Sequence, residues 1–131
     1  MRGAWILAAL ALASAPATAQ SLRVENRVTV SAVPGGFSVP DGGGMGARGM
    51  WCAAGEYAAR RAGAAETARV YVAVPRGRGF DRAPVVFTLD PAGLVPRPVL
   101  ILGTSLTRAG SSLSVAHARS LCADFRLTGS R

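Results

Sequence analysis

The sequence predicts a small single α+β domain with a four-stranded, mainly antiparallel sheet and two helices, in the order β-α-β-β-β-α. Three observations lead to this prediction. Apolar and polar residues alternate in several short segments, whereas two other segments repeat apolar residues at helical spacing. The later strands are joined by short connections, which favour antiparallel neighbours. One cysteine falls in each predicted helix, so a single disulfide can tie the two helices together.

The N-terminus has the features of a secretory signal peptide. Arg2 precedes an uninterrupted apolar run, and the small residues at 17–19 (Ala-Thr-Ala) match what signal peptidase recognises. The run is far shorter than the ~20 residues needed to span a bilayer. We therefore expect residues 1–19 to be a signal peptide and residues 20–131 to be the mature domain. That domain is predicted to be periplasmic or secreted, without a transmembrane anchor.

Composition excludes several classes of protein. The chain has 131 residues, which is too short for two ordinary domains, and carries a net charge of +8. Its 50% hydrophobic content is too high for a disordered tail. Two cysteines are too few for a Cys₄ or Cys₂His₂ zinc module. All fifteen basic residues are arginine, and their dispersion favours compositional bias over a dedicated anion site. Export argues against nucleic acid as a partner.

The first predicted strand spans Leu22–Val33, where an alternating pattern places apolar residues on one face: Leu22, Val24, Val28, Val30 and Ala32. Pro34 and the two glycines after it end the strand. Residues 34–46 are then predicted to be a Gly- and Pro-rich loop, anchored by Phe37 and Val39.

A helix is predicted over residues 47–62, because Trp51 and later alanines repeat at helical spacing. Gly63 is a natural C-cap for this helix. Small residues along it would allow close approach to the sheet.

The remaining elements follow from the same patterns. Strands are predicted at 68–74, 85–89 and 99–106, the last of them at a sheet edge because prolines precede it. A final helix is predicted to begin after Ser114 as N-cap and to end near Arg126.

The two cysteines, Cys52 and Cys122, are predicted to form a structural disulfide. Both lie on helices expected to cover the same face of the sheet, in a chain expected to be exported. Two free buried thiols, or a redox-active thiol, are the alternatives. A redox pair normally uses Cys-x-x-Cys, and these cysteines are too far apart in sequence for that motif.

Two motifs stand out in the chain: Trp51-Cys52-Ala53-Ala54 with a following Tyr57-Ala58, and the late Ser-Val-x-His-Ala helix that carries Cys122. In these motifs the chain resembles small exported proteins of alphaproteobacteria. The resemblance covers residues 22–127. No activity is assigned to those proteins, so it implies export and the cysteine pairing but no catalytic residue.

Residues 44–49 match the pattern G-x-G-x-x-G of dinucleotide-binding folds. The preceding predicted strand ends about ten residues too early, and no repeated βαβ pattern follows. We therefore interpret the motif as a flexible loop before a helix and predict no cofactor. Binding of a small anion by this loop and Arg48 is a weaker hypothesis.

His117 is the only histidine, and Ser112, Ser114, Ser120 and Asp124 lie near it in sequence. No nucleophile-elbow motif accompanies them, so His117 is interpreted as a surface or helix-capping residue. The acidic residues are dispersed and predict no glycosidase pair. One histidine and two bonded cysteines predict no metal site.

No catalytic residues are therefore predicted. The sequence favours a non-catalytic periplasmic domain that binds an envelope protein or an anionic envelope component. One alternative is an inhibitor of a cell-wall hydrolase, presenting a loop at residues 34–46 or 75–84. A small hydrolase that uses His117 is the less favoured alternative.

Overall fold

The computed structural model describes residues 20–77 and 83–128, so the predicted signal peptide at 1–19 lies outside the described residues. The α+β class is confirmed. The elements in chain order are β1 (Ser21–Arg23), β2 (Thr29–Val33), β3 (Gly36–Val39), α1 (Gly46–Arg60), β4 (Arg69–Val74), β5 (Val85–Thr88), β6 (Arg97–Pro98), α2 (Leu102–Ser105), β7 (Ser111–Ser114), α3 (Val115–Ser120) and α4 (Ala123–Thr128).

The prediction of a four-stranded, mainly antiparallel sheet with two helices is wrong. The described strands form one seven-stranded mixed sheet in the order β1-β2-β3-β5-β4-β7-β6. Neighbouring strands pair antiparallel from β1 to β7, whereas β6 pairs parallel with β7 at the edge. The added strands come from segments that the sequence patterns assigned to a longer strand, to loops or to turns.

The predicted first strand, Leu22–Val33, is a hairpin of β1 and β2. The backbone N–H of Val24 donates to the carbonyl of Val28 at 2.9 Å, and Arg27 takes a φ of +64°. Val24 and Val28 are both buried and lie on either side of Asn26, so the apolar alternation resumes in the same phase after the turn and conceals it.

The predicted loop at 34–46 contains strand β3, which lies between β2 and β5. Phe37 and Val39 are buried, as expected of its anchors. A Cβ at Gly36 would lie 2.1 Å from the carbonyl oxygen of Phe87. Glycine at this position permits the close approach of β3 to β5. Gly36 contributed to the prediction of a loop, but the strand itself requires a residue without a side chain here.

Helix α1 confirms the prediction for residues 47–62, starting one residue earlier and ending two residues earlier. Its buried stretch, Gly49–Ala58, covers the sheet. The Trp51 ring meets Phe87 of β5 edge-on at 5.0 Å, and the Phe37 and Tyr57 rings stack at 4.8 Å. These aromatic contacts join the helix to the centre of the sheet.

The prediction of a strand at 99–106 is wrong. The chain forms only the two-residue strand β6 before this segment and then makes the single helical turn α2 within it. The following strand, β7, lies outside the predicted strands and ends at Ser114, the predicted N-cap. Val70 of β4 pairs with Leu113, which shows that long-range pairing determines this strand despite its three serines.

The predicted final helix divides into α3 and α4, with a break at Leu121 and Cys122. Ser114 is its N-cap, as predicted, because its hydroxyl accepts a 3.1 Å hydrogen bond from the backbone N–H of His117. Helix α3 packs closely against α1: a Cβ at Gly55 would lie 2.8 Å from the Cβ of Ala118.

Candidate functional site

The predicted disulfide between Cys52 and Cys122 is present. It joins α1 to the break between α3 and α4, with a Cα–Cα distance of 4.9 Å and a sequence separation of 70 positions. Both half-cystines are buried, at 1% and 0% exposed. A disulfide shielded in this way is protected from attack by a thiolate, which indicates a structural rather than a redox role.

A group of ion pairs lies next to the disulfide. The guanidinium Nε of Arg119 donates to Glu56 Oε1 at 3.0 Å, and a second nitrogen of Arg119 contacts Glu66. Arg60 lies 3.7 Å from Glu56, and the Glu56 side chain is only 9% exposed. The hydrogen bond to Glu56 raises the pKa of Arg119 above its ordinary value, although burial acts to lower it. This cluster joins α1 to α3 electrostatically.

Glu25, Glu56 and Cys122 present donor atoms within 4.8 Å of one another, as a metal site would. The sulfur of Cys122 is bonded to Cys52 and is therefore not a thiolate. Both carboxylates already face guanidinium groups, that of Glu25 through Arg126 at 2.5 Å. The chemistry of the group matches a structural ion-pair cluster.

The residues around His117 do not assemble into a catalytic triad. His117 is exposed on α3, and its backbone N–H donates to the Ser114 hydroxyl. The carboxylate of Asp124 accepts from Arg48 at 2.6 Å. Ser112 is buried in β7, where Arg69 donates to its hydroxyl at 2.9 Å. Each group is engaged in a separate structural contact.

The glycine motif at 44–49 closes the fold around α1. Gly49 lies inside the helix, where a Cβ would come within 1.8 Å of the carbonyl oxygen of Gly42. The side chain of buried Asn26 donates to the carbonyl of Gly49 at 2.9 Å. The preceding strand β3 has only antiparallel neighbours, unlike the strand of a dinucleotide-binding βαβ unit. Gly49 therefore allows tight packing between the loop and the helix, whereas Gly44 and Gly46 have open space beside them and take positive φ values.

A groove of about 240 Å³ lies at the β6 edge of the sheet. It is built from β6, the segment after it, α2 and the start of β7. Its lining combines two arginines, three hydroxyl side chains and four apolar residues: Arg97, Arg108, Thr104, Ser105, Ser111, Pro98, Val99, Leu100 and Ile101. We call this the edge groove. Small-molecule sites in proteins commonly combine apolar walls with a few polar groups in this way.

The wall of the edge groove is fixed to the core through Ser105. The indole Nε1 of Trp51 donates to the Ser105 hydroxyl at 2.9 Å, and that hydroxyl donates to the carbonyl of Leu102 at 2.6 Å. On the other side, the backbone N–H of Arg97 donates to the carbonyl of Gly110 at 2.9 Å. Both sides of the groove are thus anchored by hydrogen bonds.

The two arginines of the groove differ from those on the helices. Among residues 20–77 and 83–128, neither Arg97 nor Arg108 forms an ion pair, whereas Arg48, Arg60, Arg119 and Arg126 each face a carboxylate. The sequence contains no Asp or Glu between Asp90 and Asp124. The groove therefore carries positive charge that no carboxylate of this segment neutralises.

Large apolar side chains are exposed beside these arginines. Leu100 is 89% exposed, Ile101 66% and Val95 70%, and all three lie within seven residues of sequence. Isolated exposed apolar residues are ordinary, but a concentration of them marks a surface used in binding.

The sequence patterns missed this site because the run Val99 to Leu102 was interpreted as part of an edge strand. The sequence does contain a pattern that could have indicated a binding surface here. An apolar run is flanked by Arg97 and Arg108, within a long stretch that has no Asp or Glu. The aromatic residues Trp51 and Tyr57 are buried in the core and do not contribute to this surface.

No protein-family model, curated protein or solved structure matches this chain. No helix within the described ranges is long and apolar enough to cross a bilayer.

Proposed function

We propose that this protein is a non-catalytic binding domain of the cell envelope, and that the edge groove binds an anionic envelope component. The observation that carries the proposal is the coincidence of two guanidinium groups without carboxylate partners and an exposed apolar rim. Guanidinium groups present several N–H donors in a planar fork, which suits phosphate and carboxylate groups. The apolar rim suits a ligand that is also partly hydrophobic.

Location in the envelope rests on two features. The N-terminal segment at residues 1–19 has the pattern of a signal peptide. The Cys52–Cys122 disulfide is typical of oxidising compartments such as the periplasm or the cell exterior. Together they support export, and export determines which anionic components the groove can meet.

Binding is favoured over catalysis because the hydroxyl of the buried Ser105 is engaged in the fold. Ser105 accepts a hydrogen bond from Trp51 and donates its own to Leu102, so its proton is directed away from the groove. Activation of such a hydroxyl would require a nearby general base. His117, the only histidine, is placed on α3, and the groove is lined from β6, α2 and β7.

The test is cosedimentation of the mature protein with washed fragments of bacterial envelope, at low and at high salt. The variant is Arg97→Gln with Arg108→Gln. Its matched control is Arg23→Gln with Arg27→Gln, which removes the same charge beside β1, at the opposite edge of the sheet. Neither residue of the control forms an ion pair within the described part of the chain.

We expect the wild type and the β1-edge control to sediment with the fragments, and the groove variant to remain in solution. High salt should weaken binding of the wild type and of the control, because screening reduces attraction between exposed charges. The proposal is overturned if the wild type stays in solution at low salt, or if the two double variants lose binding equally. Equal loss would mean that net charge, rather than the groove, is responsible.

A further inference from the structure

The edge groove has an outer rim that a small anion would leave uncovered. Leu100 and Ile101 line the groove, yet they are 89% and 66% exposed, so most of their apolar surface faces solvent. Val95, 70% exposed, adds to the same stretch of chain. A ligand confined between the two arginines would leave this apolar surface in water. An occupant that covers the Leu100 and Ile101 side chains must extend beyond the arginines and be apolar there.

The backbone beneath these side chains is held in place. The carbonyl oxygen of Val95 occupies the space next to Gly110, where a Cβ would lie only 2.0 Å away. Pro96 and Pro98 restrict the chain on either side of Arg97, and β6 pairs with β7. The apolar side chains therefore project from an ordered segment, so binding costs little conformational entropy.

Because Arg97 and Arg108 are charged, we expect them to contact the polar part of such an occupant, next to the apolar part that covers Leu100 and Ile101. Arg97 lies just before the exposed apolar pair and Arg108 soon after it, and both line the groove. Long cationic side chains beside apolar residues that enter a bilayer keep their charged heads at the level of the lipid phosphates. The stretch from residue 91 to residue 123 contains no acid that an anionic surface would repel.

We infer that the anionic component proposed above is a lipid surface: the protein docks on an anionic phospholipid bilayer. Leu100 and Ile101 enter the interfacial region, while Arg97 and Arg108 contact lipid phosphates. This inference rests on the proposed function and narrows it. Each arginine at an anionic surface contributes about a fivefold change in affinity, so the docking is expected to be weak and reversible.

The first experiment measures insertion with a fluorescent reporter. The tryptophan of the mature chain, Trp51, is buried and provides a constant background. Leu100→Trp and Ile101→Trp each add a reporter at the rim, and Leu127→Trp adds one on α4, where Leu127 is 80% exposed. The probes are vesicles of phosphatidylglycerol mixed with phosphatidylcholine, and vesicles of phosphatidylcholine alone.

We expect the emission of the two rim tryptophans to shift to shorter wavelength with the phosphatidylglycerol vesicles. The emission of the Leu127→Trp control should not move. Brominated lipid chains should quench the rim reporters selectively. Vesicle binding without a shift or quenching at the rim would overturn the inference, since it would indicate electrostatic adsorption without insertion. Equal shifts at all three reporters would also overturn it.

The second experiment measures affinity for the same vesicles. Leu100→Ser with Ile101→Ser should lower the partition coefficient at least about tenfold, because two apolar side chains lose their burial. Leu127→Ser is the matched control and should bind as the wild type does. An unchanged partition coefficient in the rim variant would overturn the inference.

The two proposals fail in different ways. If the wild type sediments with envelope fragments but does not bind lipid vesicles, the lipid inference is overturned and the binding function stands. The occupant would then be an envelope protein or polysaccharide. If the wild type binds neither, both proposals fail.

Discussion

Trp51 and Ser105, 54 residues apart in sequence, are joined by a 2.9 Å hydrogen bond from the indole Nε1 to the hydroxyl oxygen. Trp51 is fully buried in α1, and Ser105 ends the helical turn that forms one wall of the edge groove. Because a buried indole N–H needs an acceptor, the same contact that satisfies the core fixes the groove. Core packing and the proposed binding surface are thus directly connected.

This contact predicts the behaviour of Ser105→Ala. The substitution leaves the Trp51 N–H buried without an acceptor and should lower the free energy of unfolding by about 1–3 kcal/mol. Urea denaturation measures the change. Ser120→Ala is the matched control, since its hydroxyl makes the same type of bond to the carbonyl three residues back but is exposed. A loss no larger than that of the control would contradict the prediction.

Gly55 provides a second prediction, about the contact between α1 and α3. In Gly55→Ala the new methyl group would lie 2.8 Å from the Cβ of Ala118 and 2.9 Å from the backbone nitrogen of Arg119. Overpacking of about 1–3 kcal/mol should exceed the helix-propensity gain of about 1 kcal/mol, so the variant should be less stable. Gly103→Ala, with open space around its Cβ, should be neutral or more stable. Thermal unfolding of both variants measures the difference in stability between them. A stabilised Gly55→Ala protein would contradict the prediction, because it would show that α1 and α3 can move apart at little cost.

The disulfide predicts a large effect of removing both cysteines. Cys52→Ala with Cys122→Ala opens a loop of 70 positions and should cost about 4 kcal/mol in the chain-entropy model. Equilibrium unfolding of the oxidised protein, the reduced protein and the double variant measures this cost, and the last two should agree closely. Alkylation without reductant should add no mass to the wild type. Labelling of both thiols under those conditions would contradict the assignment.

The ion-pair cluster predicts a difference between two glutamates that share Arg119. Glu56→Gln should lower the free energy of unfolding by about 1–2 kcal/mol, because the Glu56 side chain is only 9% exposed and its charge is partly shielded from solvent. Glu66→Gln, at a side chain that is 53% exposed, should cost less than about 0.5 kcal/mol. Urea denaturation compares the two, and equal losses would refute the prediction.

Arg119 itself should contribute no pH dependence to this difference near neutral pH. Its pKa is raised in the folded state, chiefly by the hydrogen bond to Glu56. The stabilising contribution of a group with a raised pKa is fully present below its unfolded pKa and is lost as pH rises through its folded pKa. For an arginine, both values lie far on the alkaline side. The contribution of Arg119 is therefore constant through the neutral range.

Several elements were predictable because their signals are local. Helix α1 follows from the spacing of Trp51 and the alanines after it, and Ser114 was recognised as an N-cap because capping needs only the next three residues. The disulfide was predicted from the positions of two cysteines on two expected helices. The α+β class followed from alternating and helical patterns in the same chain.

The number of strands could not be predicted from the same patterns. The β1–β2 turn is concealed because Val24 and Val28 are buried on both sides of it. Strand β3 begins at Gly36, where glycine is required by the approach to Phe87. In both cases the local pattern predicts one conformation, a continuous strand at 22–33 and a loop at 34–46. Contacts with residues distant in sequence require a different conformation.

The α+β class, the main helix and the cysteine pairing were predictable from the residue order, since each prediction rests on spacing along the chain. The residue order also contains the charge that the proposed function uses, but as scattered arginines whose dispersion favours compositional bias over a dedicated site. Tertiary structure decided which arginines are neutralised: the helices bring four of them to carboxylates, while Arg97 and Arg108 remain without such partners in the described part of the chain. The physical reason is that ion pairing, like the Trp51–Ser105 contact, depends on distance in space, which spacing along the chain does not encode.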